Sequence, residues 1–219
     1  MLEIKDLYDL DHTLAKEYLS NFTYPWEALK GIKETIIKIG KNLDSNEYTE
    51  VKENVWVHKT AKVFESAYIG APSIIGKNSE VRHCAFIREA ALVGDDCVVG
   101  NSVELKNVIL FDNVQTPHYN YVGDSILGYH SHMGAGSITS NVKADKKNVI
   151  ISTDSKKYET GLKKFGAMLG DYVEVGCNAV LNPGTIIGRN TNIYPTSCVR
   201  GYVRENAIYK NNNVVIEKK

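Results

Sequence analysis

The chain predicts an all-β fold, a parallel β-helix preceded by an α-helical hairpin, and three observations carry that reading. An apolar residue recurs every six positions, at Val57, Val63, Ile69, Ile75, Val81, Ile87, Val93, Val99, Leu105 and Phe111. Four places after most of these sits a small or modest side chain: Ala61, Ala67, Ser73, Ser79, Ala85, Ala91, Cys97 and Val103. Ahead of the beat, two apolar runs are spaced by three and four instead. A fixed short period marks a unit that cannot bury its apolar face alone and must stack on its neighbours.

The first fifty residues come first in chain order. Leu7, Leu10 and Leu14 form one run, Leu29, Ile32, Ile36, Ile39 and Leu43 the other, with Thr23-Tyr24-Pro25 between them. That periodicity predicts two amphipathic helices over residues 1–50. Pro25 suits the first turn of the second, where its missing N–H costs nothing, and Gly40 suits its end. An open β-helix end exposes unpaired strand edges, so the hairpin is expected to serve as a cap, with an oligomer contact as the alternative.

Residues 51–210 form the solenoid. Three hexads make a triangular coil of eighteen residues, with the apolar and small positions inward and Gly or Asn near the corners. The beat shortens to five around Pro117 and Val122, returns at Leu127 and Met133, and resumes at Leu169, Val175, Leu181, Ile187, Ile193 and Val199. Six to seven coils are expected, at roughly 4.8 Å per stacked strand a prism about 30 Å long. Residues 139–167 leave the beat as a loop carrying Lys143, Lys146, Lys147, Lys156, Lys157, Lys163 and Lys164 against Asp145, Asp154 and Glu159. It reads as a basic arm, either solvated or facing a phosphate-bearing ligand. Residues 211–219 are a polar C-terminal tail.

The 26 basic and 26 acidic residues balance, which argues against a nucleic-acid or membrane partner. With no basic-then-apolar leader and no long apolar run, a soluble, cytoplasmic protein is expected. Cys84, Cys97, Cys177 and Cys198 lack CxxC spacing and are expected as buried, reduced thiols.

Chemistry concentrates in a few places. Arg88 and Lys106 lie eighteen residues apart, each one place after its apolar residue, and should stack at one corner about 5 Å apart. Two like charges held so close call for an anion, with phosphate the natural one, unless both side chains splay into solvent. His118 falls at the irregularity of the beat, a coil or less from that corner, and imidazole suits proton removal near neutral pH. His130 and His132, with His83, raise a metal question for which no third ligand register can be fixed.

Four strings then carry a family resemblance: Ile87-Arg88; Val103-Glu104-Leu105-Lys106; His118-Tyr119-Asn120-Tyr121-Val122-Gly123-Asp124; and Met133-Gly134-Ala135-Gly136-Ser137-Ile138-Thr139-Ser140-Asn141. In this order and nearly this spacing they resemble the acetyltransferase half of the bifunctional N-acetylglucosamine-1-phosphate uridyltransferases and related archaeal-type sugar-phosphate acetyltransferases, over about residues 57 to 205. The prisms of such proteins wind left-handed, against the usual crossover rule. The resemblance implies an acetyl-CoA-dependent N-acetyltransferase acting on glucosamine 1-phosphate or galactosamine 1-phosphate, serving UDP-N-acetylglucosamine-type precursor supply. His118 would be the general base, Glu104 would orient it, and the Ala135 N–H would face the oxyanion. Arg88, Lys106 and Tyr121 would hold the sugar phosphate, with His132 where the family places an Asn against the sugar. Asn141 and Lys147 would approach acetyl-CoA, and Val142 replaces an aromatic residue near the coenzyme. The family implies a homotrimer with acetyl-CoA as co-substrate and no metal. About fifty residues precede the solenoid without a Gly-rich nucleotide loop, so no uridyltransferase activity is expected.

Two other classes compete. Degenerate hexapeptide chains serve as scaffolds or regulatory subunits, but a scaffold has no need of a like-charged corner. A zinc hydratase resembling γ-class carbonic anhydrase shares the prism, but it takes two His five apart on one chain, whereas His130 and His132 are two apart.

Overall fold

In the computed structural model, which describes residues 2–153, 156–211 and 214–218, the chain is a parallel β-helix with helices at its N-terminus. One face of the prism is a nine-stranded sheet whose last strand, Val214–Glu217, is antiparallel. The remaining eight strands are parallel, one per coil, against the six to seven expected. Inward residues from all faces form one apolar core in which Ile75, Ile87, Val99, Leu105, Val122 and Leu181 are fully buried.

Registers locate the shortened coils. Val93 pairs with Leu110 and Leu110 with Leu127, so the five-residue steps run from Leu105 to Leu110 and from Val122 to Leu127. The expected step at Pro117 is corrected accordingly: Thr116, paired with Val99 and fully buried, takes the inward place. Phe111 is buried too, but off the inward column, with its ring 5.1 Å from that of Tyr8 in the N-terminal segment.

The N-terminal residues do not form a two-helix hairpin over an open end. Pro25–Gly31 and Ile32–Gly40 make the second helix, its first part a 3₁₀ segment with Pro25 in the first turn as expected. The first helix breaks into Ile4–Leu7, Leu10–His12 and Lys16–Leu19. Between them Tyr8 and Asp9 are extended, because this stretch bonds to the prism instead of to itself. Asp171 N–H donates to the Leu7 carbonyl (3.0 Å), Asp9 N–H to Asp171 Oδ2 (2.7 Å), and Asp112 N–H to the His12 carbonyl (3.0 Å).

These helices lie along one side face. The outward residues there are Trp56, Ile74, Leu92, Ile109, Ile126, Met168 and Ile186, and every one is buried. The helix Ile32–Gly40 packs on strands Ser73–Ile75, Phe86–Val93 and Glu104–Leu110, contributing buried Ile32 and Ile36. Such a face is apolar on both sides of the sheet, and covering it removes from water several side chains worth about 1.5–3 kcal/mol each. The two ends are closed by strands: Tyr48–Lys52 runs antiparallel to Val55–His58 at one end, and Val214–Glu217 runs antiparallel to Ala207–Lys210 at the other. Each antiparallel partner occupies an edge that would otherwise invite another chain.

The loop after Thr139 carries a small antiparallel hairpin, Ile150–Ser152 with Lys157–Glu159. It is anchored as well as solvated. Val149, Ile151 and Phe165 are buried, and the Tyr158 and Phe165 rings lie 6.0 and 6.3 Å from that of Trp26. Asp154 of the basic arm lies outside the described residues. Cys97 is buried, and burial pushes its thiol far above the ordinary range. The other three cysteines are exposed, contrary to expectation, because Cys84 and Cys177 sit at turns and Cys198 points outward from its strand. No helix among the described residues is long and apolar enough to cross a membrane.

Candidate active site

The strands Glu104–Leu110, Gln115–His118 and Tyr121–Leu127 bring Glu104, Lys106, His118 and Tyr121 onto neighbouring coils. A bulge after Ile87 shifts the register, so Glu89 rather than Arg88 stands opposite Lys106. The expected bare pair of stacked cations is therefore not what forms. Each cation has its own carboxylate: Arg88 Nη1 lies 3.5 Å from Glu104 Oε1, and Lys106 Nζ lies 3.2 Å from Asp124 Oδ1. Half the Arg88 side chain is exposed, whereas Lys106 and Asp124 are 14% and 5% exposed, so Arg88 is the cation within reach of an incoming anion.

Asp124 is the hub of this corner. Its Oδ1 also accepts from Asn107 Nδ2 (2.9 Å), and its Oδ2 accepts from Asn141 Nδ2. The same Asn141 amide donates to the Tyr121 hydroxyl (3.2 Å). Tyr121, opposite Glu104 in the register, has its phenol pushed above the ordinary range by burial, then by the charges of Asp124 and Glu104. Asn141, expected at the coenzyme, is thus tied to the corner expected to hold sugar phosphate. Neither spacing nor resemblance gives Asp124 or Asn107 a role. The sequence hardly marks them: Asp and Asn tolerate left-handed corners, and Asn54, Asn78, Asp96 and Asn113 occupy such corners just as Asn107 and Asp124 do.

His118 is exposed, and no hydrogen bond engages its ring among the described residues. Its backbone is held: the carbonyl accepts from Gly136 N–H (3.0 Å), and the N–H donates to Asn120 Oδ1 (3.2 Å). Ala135 therefore lies on the coil directly beneath. Its carbonyl accepts from Asn178 N–H (2.9 Å), while its N–H has no partner among the described residues. Glu104, expected to orient the imidazole, bonds Arg88 instead. His132 Nδ1 is 2.9 Å from Glu174 Oε2, on a strand pairing with Gln115. It shares with His130, Gln115 and Glu174 a cavity of about 220 Å³, away from the Asp124 corner. Lys147 lies on the far arm, lining with Lys146 and Lys163 a cavity of about 500 Å³. Among the described residues no group of three His, Cys, Asp or Glu side chains is placed to hold a metal ion.

The geometry thus offers an accessible imidazole, an unpartnered backbone donor one coil below, and on the adjoining face a polar cluster that runs from Asp124 on the imidazole's own coil to Arg88 two coils above. No family model matches the chain. Over 117 residues, 53% of this chain, it is 38% identical to a bifunctional protein GlmU of Methanococcus maripaludis. Over 108 residues, 49% of this chain, it is 33% identical to a bifunctional sugar-1-phosphate nucleotidylyltransferase/acetyltransferase of Sulfurisphaera tokodaii. About half of the chain is similar in sequence to these proteins.

The matched parts are 28% and 27% of those two proteins, so the chain spans about a quarter of the length of the relatives it matches. Among solved structures, the polySia-specific acetyltransferase NeuO aligns with a TM-score of 0.42 at 13% identity, over 72% of this chain and 74% of that one. PerB from Caulobacter crescentus, in complex with CoA and GDP-perosamine, aligns with a TM-score of 0.37 at 17% identity, over 69% of this chain and 51% of that one.

Proposed function

We propose that the chain transfers the acetyl group of acetyl-CoA to the amine of an amino-sugar 1-phosphate. The observation that carries the reading is the exposed His118 imidazole one coil from the unpartnered Ala135 N–H, with the half-exposed Arg88 guanidinium two coils above assigned to a phosphate. The sequence similarity to proteins named as sugar-1-phosphate nucleotidylyltransferase/acetyltransferases supports it.

In this mechanism His118 takes the proton from the neutral amine as its nitrogen attacks the thioester carbonyl, forming the C–N bond. Negative charge develops on the carbonyl oxygen, and the Ala135 N–H donates to it. A preorganised donor of this kind is worth about 3–4 kcal/mol in other acyl transfers. Collapse of the tetrahedral intermediate breaks the C–S bond, and the imidazolium returns its proton to the departing thiolate. General base catalysis contributes roughly 10²–10⁴ in rate. Arg88, and the Tyr121 hydroxyl fixed by Asn141, face the sugar phosphate. Lys147 on the basic arm is assigned to acetyl-CoA. A trimer with acetyl-CoA between neighbouring prisms belongs to the same proposal.

Thiol release from acetyl-CoA with glucosamine 1-phosphate and with galactosamine 1-phosphate tests it. Turnover with either acceptor that vanishes in His118→Ala is the expected result and names the sugar. Turnover with neither, in folded protein, or equal turnover in the variant, overturns the proposal.

A further inference from the structure

The inward corner position that holds small side chains in the other coils holds an asparagine in one. Registers align Val103 with Asn120, Ser137, Ala179 and Ser197, one residue per coil. Ala85 stands in the coil above Val103. Packing alone is therefore satisfied by Ala, Val or Ser. Placing a carboxamide there, 2% exposed, costs free energy unless all its polar atoms are bonded.

They are bonded, and to two segments at once. Asn120 Oδ1 accepts from the His118 N–H (3.2 Å). Asn120 Nδ2 faces the Gly134 carbonyl (2.8 Å), the Ser137 carbonyl (3.0 Å), the Ser137 hydroxyl (3.2 Å) and the Met133 carbonyl (3.5 Å). The amide orientation follows from these neighbours, since a flip would set its oxygen against three carbonyls and its nitrogen against an N–H. The Ser137 hydroxyl closes the turn by donating to the Gly134 carbonyl (2.7 Å), and Gly136 N–H reaches back to the His118 carbonyl (3.0 Å). Between Gly134 and Gly136 lies Ala135.

We infer that Asn120 is a positioning residue for the reaction: its buried carboxamide clamps the backbone of His118 to the turn carrying Ala135, and so fixes the separation of base and oxyanion donor. The inference rests on the acetyl-transfer reading above. Asn120 touches neither substrate in this scheme. Loosening it shifts two reacting groups relative to one another, and a misplacement of about 1 Å can cost roughly 10²-fold in rate.

The test uses Asn120→Val and Asn120→Ser, side chains that neighbouring coils already accommodate in this column. In folded variants kcat should fall roughly 10- to 100-fold, while KM for acetyl-CoA and for the amino-sugar phosphate stays within about threefold. Amide hydrogen exchange at His118 should accelerate in both variants. A kcat within threefold of the parent, or a loss confined to KM, overturns the inference. If the parent turns over no acceptor, the functional reading fails on its own, and exchange still decides the clamp: unchanged protection of the His118 amide in Asn120→Val sinks it.

Discussion

Lys106 Nζ lies 3.2 Å from Asp124 Oδ1, one coil above it, with both side chains almost withdrawn from solvent. A pair so placed is costly to break from one side, because the survivor is left as an uncompensated charge. Asp124 further accepts from Asn107 and Asn141, so it is the more sensitive member. Asp124→Ala should lower unfolding stability by about 3–5 kcal/mol in urea denaturation. Lys106→Met combined with Asp124→Leu should recover part of that loss. Equal stability of Asp124→Ala and the parent would refute the assignment of Asp124 as the hub.

The docking of the helices has its own probe in Gly40. A Cβ at this residue would fall 2.2 Å from the Trp56 ring, so the last turn of the helix can meet the prism only without a side chain. Gly40→Ala should therefore cost about 1–3 kcal/mol through overpacking, although alanine is the better helix former. A rise in Tm for this variant would mean that the helix does not seat against Trp56.

A pH dependence follows from Asp112. Burial, then the nearby Asp95, raises its carboxyl to about 6, while bonding to the Asp95 N–H pulls the other way. The folded pKa lies above the unfolded one, so folding favours the protonated form. The stability that Asp112 contributes is complete below about pH 4 and is lost as pH rises through about 6. Asp112→Asn keeps the oxygen that accepts from Asp95 and removes the buried charge. Its urea midpoint should exceed that of the parent at pH 7.5, and the gap should close by pH 4. A gap that is constant over this range counts against the raised carboxyl.

Tyr121 allows a finer test of the proposed phosphate contact. Tyr121→Phe removes the hydroxyl that accepts from Asn141 and leaves the ring over Gly123. With an active acceptor, KM for the amino-sugar phosphate should rise several-fold, by about the 0.5–1.5 kcal/mol of one hydrogen bond, with KM for acetyl-CoA unchanged. A change in the acetyl-CoA KM alone would move Tyr121 to the coenzyme side.

The beat of six made the prism legible because every inward position repeats the same steric demand. The position of the helices was legible too, one residue earlier in each third hexad: Trp56, Ile74, Leu92, Ile109 and Ile126 are all apolar, where the nine-stranded face has Lys62, Glu80, Gln115 and His132, with Val98 the one apolar residue among them. An outward apolar column means a covered face, a stronger signal than the general need to close an end. Arg88 misled because spacing gives stacking only while the coils stay at eighteen residues. The shortened coil and its bulge changed Lys106's neighbour, and with it the electrostatics of the corner. The break of the first helix was not legible, since Leu7, Leu10 and Leu14 keep helical spacing. The bonds that hold the chain on either side of Tyr8 come from Asp171, far away in sequence.

The covered face also limits how copies of this chain can associate. A triangular prism has three sides, and here the chain's own helices occupy one. Two unlike sides remain: one with its row of Lys62, Glu80, Gln115, His132 and Glu174, the other with Tyr68, Phe86, Glu104, Tyr121 and Ile138 pointing outward. A closed ring is built from two different surfaces on every subunit, each meeting the other kind on its neighbour. The edge between the two free sides carries His118, so a ring that uses both sides would bring the imidazole among the packed subunits. In such a ring the surroundings of His118 would change with protein concentration, without a single coil unfolding.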